Sequence, residues 1–279
     1  MNMLELGDVV RSVRDLPALP SIVLDLIASF GSDDVDVTVL ADKMSRDQAL
    51  AAKTLRLANS SFYGLPSKVR TVKQAIVVLG FDSARALAVA SSVIENFGAS
   101  SCPQVDVASF WRHSIATALC AKILARHARL DQDHAFIAGL LHDIGRLLLA
   151  SSFPEQYAQV LALRDSEDIA LGLAELTVLG VDHQRAGQML AEAWKFPPPI
   201  QRAIGQHHAP ASADLGDVPG VVHVADAMVH ALDLGAGARD AVPPLLDPVW
   251  DSLRITAEQL QAVCRETEGQ FEEACRLLM

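Results

Sequence analysis

The most chemically specific segment of the chain is Gly139-Leu140-Leu141-His142-Asp143-Ile144-Gly145. A histidine and an aspartate stand side by side in a run that is otherwise apolar. Burying either group unpaired is costly. A divalent cation removes that cost, because an imidazole nitrogen and a carboxylate oxygen can converge on one ion while other segments complete its shell. The candidate donors are His113 in Phe110-Trp111-Arg112-His113-Ser114, His183 just after Asp182, the pair His207-His208, and Asp226 inside an apolar stretch. Imidazole is a borderline ligand, so this mixed set suits Fe, Mn, Ni or Zn better than Mg or Ca. More than four such donors can hold one or two ions. Paired ions bind phosphate oxygens and activate water for phosphoester hydrolysis, with Asp143 as the carboxylate that bridges or orients them.

Each residue also has a plainer reading. His142-Asp143 can be a buried pair that orders a core. Asp226 alone reads as a cap or salt-bridge partner, and His183 as a solvated residue beside a cap. His207-His208 fit a helix C-terminus, where the dipole alone favours histidine. His127, His134, His223 and His230 read as structural or surface residues.

The elements that must position these groups are helices. Apolar residues recur at three and four rather than at two. The pattern predicts short helices through residue 97, with Asp47 a cap and Gly80 a stop. It then predicts a long helix from Val107 to His127, a second run from Asp131 to Ala150, and shorter ones over 154–165 and 169–179. Asp182 caps a helix through Trp194, Pro197-Pro198-Pro199 opens one through His208, and Val221–Leu234 is another. Residues 235–248 read as a Gly/Pro-rich connection, and Thr256 caps a final amphipathic helix. The small, polar Ala99–Pro103 stretch divides an N-terminal unit, residues 1–100, from a second, residues 104–279.

Composition bounds the function. The chain has 279 residues, is 51% hydrophobic and carries a formal net charge of −11. That much apolar surface excludes disorder. Nearly all the excess acid lies after residue 100, which repels nucleic acid and argues against a duplex-DNA partner. The most apolar stretch is interrupted by Asp143 and Arg146, so no membrane span is expected, and with no export signal the expected compartment is the cytoplasm. Four cysteines without CxxC spacing read as buried thiols. Arg56, Lys68, Arg70 and Lys73 around Tyr63 form a basic cluster, read as a solvated face or, alternatively, an anion or nucleotide site.

Taken together, the motifs resemble the HDOD family, a branch of the HD superfamily. The N-terminal marks are Leu16-Pro17-Ala18-Leu19-Pro20, Leu57-Ala58-Asn59-Ser60 with Phe62-Tyr63-Gly64, and Ala75-Ile76 with Leu79-Gly80. The C-terminal marks are the segments around His113 and His142-Asp143, His183 with Gly187, Trp194 with Pro197, and His207-His208. The resemblance implies an all-α fold, an N-terminal bundle of short helices followed by an HD-type helical domain. It implies a regulatory or adaptor role in bacterial signalling, with signalling proteins as partners and a nucleotide or cyclic dinucleotide as a further ligand. The related HD-GYP family hydrolyses cyclic di-GMP at a two- or three-metal site, and by position His113, His142, Asp143, His183, His207, His208 and Asp226 match its metal-binding pattern. The chain departs from that pattern in two places. Ala209-Pro210-Ala211 follows His207-His208 with no acid and no Gly-Tyr-Pro loop, and Arg146 stands where the catalytic family has Lys.

Overall fold

The computed structural model describes residues 6–15, 19–30, 36–59, 68–98, 100–235 and 242–279. Sixteen helices and no strand occur among them. In order they are α1 (Leu6–Asp15), α2 (Ser21–Ala28), α3 (Val37–Arg46), α4 (Gln48–Ala58), α5 (Val72–Leu79), α6 (Phe81–Asn96), α7 (Val107–Ala128), α8 (Gln132–Leu141), α9 (Ile144–Ser152), α10 (Pro154–Glu167), α11 (Leu171–Leu179), α12 (His183–Ala193), α13 (Pro198–Gln206), α14 (Val218–Ala231), α15 (Asp247–Leu253) and α16 (Ala257–Leu278). The fold is all-α, as expected. The motif residues Leu16–Ala18, Ser60 and Phe62–Gly64 and the boundary residue Ala99 lie outside the described residues.

Eight of the sixteen helix starts follow from local capping chemistry. An aspartate or threonine side chain accepts the orphan N–H groups of the first turn. Asp106 does this for α7, Asp131 for α8, Asp182 for α12 and Asp217 for α14. Thr256 and Gln259 form a reciprocal capping box on α16. Gly180, at φ +78°, ends α11 in the left-handed region that a side chain disfavours.

Three expectations change. The run predicted over Asp131–Ala150 is two helices, because the chain breaks at His142-Asp143. Asp143 sits at φ −98°, ψ 7°, a sparsely allowed region where active-site residues are often found. No Gly or Pro marks that break, so periodicity runs straight through it. The helix predicted from Val221 begins at Val218, because Asp217 caps it and Pro219 is tolerated in its first turn. The connection predicted over 235–248 contains the start of α15.

Helix α7 is the central element. It packs along α8, α14 and α16, and α16 is held to it by Arg112–Glu272 and Arg126–Glu266 ion pairs. One apolar core runs from Val9 to Leu278 and joins the first six helices to the rest. The Gln132–Ser152 stretch is long and apolar enough to cross a membrane by length and composition, but 83% of its apolar window is buried inside the fold. Cys102, Cys120 and Cys275 are buried and Cys264 is half-buried, all as free thiols.

Helices α9 and α12 approach each other backbone to backbone at Gly145.

 

There, a Cβ on Gly145 would lie 1.9 Å from the His183 carbonyl oxygen and 2.7 Å from the Gly187 nitrogen. Only glycine at 145 lets the start of α9 lie against the start of α12, and this contact puts His183 beside Asp143. Gly145→Ala therefore overpacks rigid backbone, and we expect it to cost about 3 kcal/mol or more. Gly269, on the exposed face of α16 with nothing near its Cβ position, is the control, and Gly269→Ala should stabilise by up to about 1 kcal/mol. Thermal and urea denaturation of the two variants check both outcomes.

Candidate metal centre

Helix ends build the site. His142 ends α8, Asp143 precedes α9, His183 begins α12 and His207 ends α13. His113 comes from the middle of α7 and Asp226 from the middle of α14. All seven residues expected from the sequence come together. Six of them are buried, and His208 reaches solvent.

The donors fall into two sets. Asp226 Oδ1 lies 3.1 Å from His113 Nε2 and 3.6 Å from His142 Nε2. Asp143 Oδ1 lies 3.4 Å from His183 Nε2 and 3.5 Å from His207 Nε2, and His208 Nε2 is 3.2 Å from His183 Nε2. Asp143 Oδ2 turns the other way, 3.7 Å from His142 Nε2. Asp143 thus offers one oxygen to each set.

The rings are aimed from behind. His142 Nδ1–H donates to the Gly139 carbonyl at 2.8 Å and His207 Nδ1–H to the Ile204 carbonyl at 3.0 Å. With the proton on Nδ1, Nε2 of the neutral ring carries a lone pair. Those lone pairs face carboxylate oxygens, and acceptors opposed to acceptors in a buried site repel. The gaps are longer than an N–H···O hydrogen bond, and among the described residues neither Nε2 finds a hydrogen-bond partner. The spacing does match a coordination shell. Donors about 2.1 Å from an ion are about 3.0–3.4 Å from one another along the edges of an octahedron or a tetrahedron. The residues present therefore fit a divalent cation.

Behind His183 lies a carboxylate that sequence reasoning missed. Fully buried Glu175 accepts from the His183 backbone N–H at 2.8 Å and lies 2.6 Å from its Nδ1. The Tyr157 hydroxyl donates to the other oxygen at 3.1 Å. Such outer partners set the tautomer and basicity of a ligating histidine. The one available signal was an acid alone in the apolar helix Leu171–Leu179.

Electrostatics favour the anionic carboxylates. Burial alone would raise Asp143, but His142, Arg146, His207 and His183 outweigh it and hold its pKa well below the usual range. Burial is likewise outweighed at Asp226 by its hydrogen bond with His113 and by attraction from His142 and His113. Burial opposes the charged form of His183, yet Glu175 and then Asp143 raise its pKa to about 9. His142 is raised for similar reasons, by Asp143 and Asp226 against burial. Desolvation lowers His207 and His208.

His230 lies beside the Asp226 donor set. The residue reads from the sequence as structural or surface; it is half-buried, with its Nε2 3.4 Å from Asp226 Oδ1, one turn along α14. His223 is structural: its Nδ1–H donates to the His207 carbonyl and its Nε2 accepts from the Leu246 N–H. His134 pairs with Asp131. Of the basic cluster, Lys73 pairs with Asp42, Arg56 is exposed beside a groove of about 430 Å³, and Tyr63 lies outside the described residues.

An all-α fold that brings His113, the His142-Asp143 pair and Asp226 to one point defines a helical protein of HD type. The HDOD domain matches residues 16–210, and the chain belongs to the HDOD family. It is similar to an HDOD domain protein of unknown function from Geobacter sulfurreducens, with 25% identity, 98% of each chain covered and a TM-score of 0.80. It is also similar to a Shewanella amazonensis protein classed by inference as a phosphohydrolase, with 27% identity, 98% of each chain covered and a TM-score of 0.77. An uncharacterised protein from Treponema pallidum is 25% identical over 275 residues, which are 95% of this chain. The chain spans 52% of that relative's length.

Two outcomes follow from this geometry. Glu175→Gln should weaken metal affinity about 10–100-fold while the helical circular dichroism is retained. In the metal-free protein at pH 7.5, below the raised pKa of His183, that ring is protonated, and a cation can use Nε2 only after the proton leaves. Loading should therefore release protons, an effect that should shrink as the pH rises past about 9. Calorimetric titration in buffers of different ionisation enthalpy measures the number released.

Proposed function

We propose that the chain is a regulatory protein of bacterial signal transduction, working in the cytoplasm by binding protein partners. Its His/Asp centre holds one or two divalent transition cations, Fe, Mn, Ni or Zn, that set the relative positions of α7, α8, α9, α12, α13 and α14. The observation that carries the metal reading is that the buried Nε2 atoms of His142 and His207 face carboxylate oxygens at 3.6 and 3.5 Å with no hydrogen-bond partner among the described residues. A Marinobacter aquaeolei protein classed by inference as a signal transduction protein supports the regulatory reading, with 26% identity and a TM-score of 0.76. It matches all of this chain over 62% of its own length.

Two features favour regulation over hydrolysis. Arg146, where a catalytic relative carries Lys, turns back onto Asp143 Oδ2 at 2.8 Å. A guanidinium tied to the central carboxylate is held away from a substrate phosphate. Ala209-Pro210-Ala211 after the histidine pair supplies no acid.

A second reading is a phosphohydrolase acting on a nucleotide or cyclic dinucleotide. It is favoured by Asp143 presenting one oxygen to each donor set, and by the naming of the Shewanella amazonensis relative. A bound cation would supply Lewis acidity toward a phosphate oxygen. The chain's own part would be to hold the carboxylates anionic, aim the imidazoles from Gly139, Ile204 and Glu175, and admit substrate on the His208 side.

Turnover of cyclic di-GMP and of a generic phosphodiester, with Mn and Fe supplied, separates the readings. Wild type should turn over neither substrate faster than Asp143→Ala. A metal-dependent rate at least tenfold above that variant would transfer the assignment to the hydrolase.

A further inference from the structure

We infer that His230 is an additional metal donor, and that it makes the two halves of the centre unequal: a closed subsite on the Asp226 side and an exchangeable one on the His208 side. The inference rests on the reading of the cluster as a metal centre.

His230 and Asp226 are four residues apart on α14, so they share a face and reach the same point. His230 Nε2 lies 3.4 Å from Asp226 Oδ1, and His113 Nε2 lies 3.1 Å from that same oxygen. The His113 and His230 rings are 4.4 Å apart between centroids. Donor atoms of His113, Asp226 and His230 all lie within 4.8 Å of one another, as do those of His113, His142 and Asp143. His113 belongs to both groups and links them. With His142 and Asp143 Oδ2 at its other edge, this half offers five protein donors, four of them on buried residues. A metal site closed by protein ligands is the structural type, whereas a site that exchanges ligand or water keeps a position open.

The other half is built differently. Asp143 Oδ1, His183 and His207 are buried, but the fourth donor, His208, lies at the surface. It has the only exposed ligand of its group, so a cation there meets solvent and a chelator can reach it. The closed half then holds α7 to α14, and the open half reports cation supply by ordering His208 at the end of α13.

The test uses the whole chain loaded with Zn²⁺, with bound metal counted by mass spectrometry before and after dialysis against a moderate chelator. Wild type should bind two ions and keep one. His230→Gln should bind the retained ion about 10–100-fold more weakly and lose it on dialysis, while the exchangeable ion is unaffected. His208→Gln should do the reverse. His230→Glu, which restores an oxygen donor, should recover part of the retention, an effect that a purely structural role for His230 would not give. Retention unchanged in His230→Gln, or both ions weakened equally, overturns the role of His230 and leaves the metal centre standing. No zinc bound by wild type overturns the metal reading itself.

Discussion

The structure depends on one electrostatic constraint. Two buried carboxylates, Asp143 and Asp226, face imidazole nitrogens whose protons are committed elsewhere. Acceptors opposed to acceptors in a low-dielectric interior are tolerated only when positive charge lies between them. In the metal-free chain, His183, raised to about 9 by Glu175 and Asp143, provides part of that charge, and the carboxylates raise His142 as well while their own pKa values fall. A divalent cation does the same with higher charge density and without requiring hydrogen-bond distances.

That constraint explains the architecture around it. A helix interior uses its own backbone polar groups, whereas a helix end has polar groups to spare and can turn a side chain into a shared point. Four of the site residues lie at such ends. The missing Cβ of Gly145 lets two of those ends meet. Helix α7, which carries His113, is gripped from outside by the ion pairs of α16. A change in charge at the centre is therefore placed to move several helices at once, which suits a regulator.

The parts legible in the sequence were those with a local signature. His142-Asp143 stood out as adjacent polar residues in an apolar run, His207-His208 as a doublet, and the caps Asp182 and Thr256 as acceptors before periodic segments. Other parts had little or no local signature. The break between α8 and α9 uses neither Gly nor Pro, so the apolar period continues across it. His230 sits in the last turn of α14, where the helix dipole already accounts for a histidine. Glu175 is only an acid in a short helix until the fold sets it behind His183. The break and the role of Glu175 emerge only once the helices pack, whereas the four-residue spacing of Asp226 and His230 did leave a trace in the sequence.

The central claim is that cations, not protons alone, bridge the two donor sets. Anomalous diffraction from crystals of protein purified without chelator, measured on both sides of the absorption edges of Mn, Fe, Ni and Zn, tests it directly. Two peaks are expected, one on the His113, His142 and Asp226 side of Asp143 and one on its His183 and His207 side. A well-ordered cluster with no anomalous signal, and with ordered water or closed hydrogen bonds in its place, would contradict it.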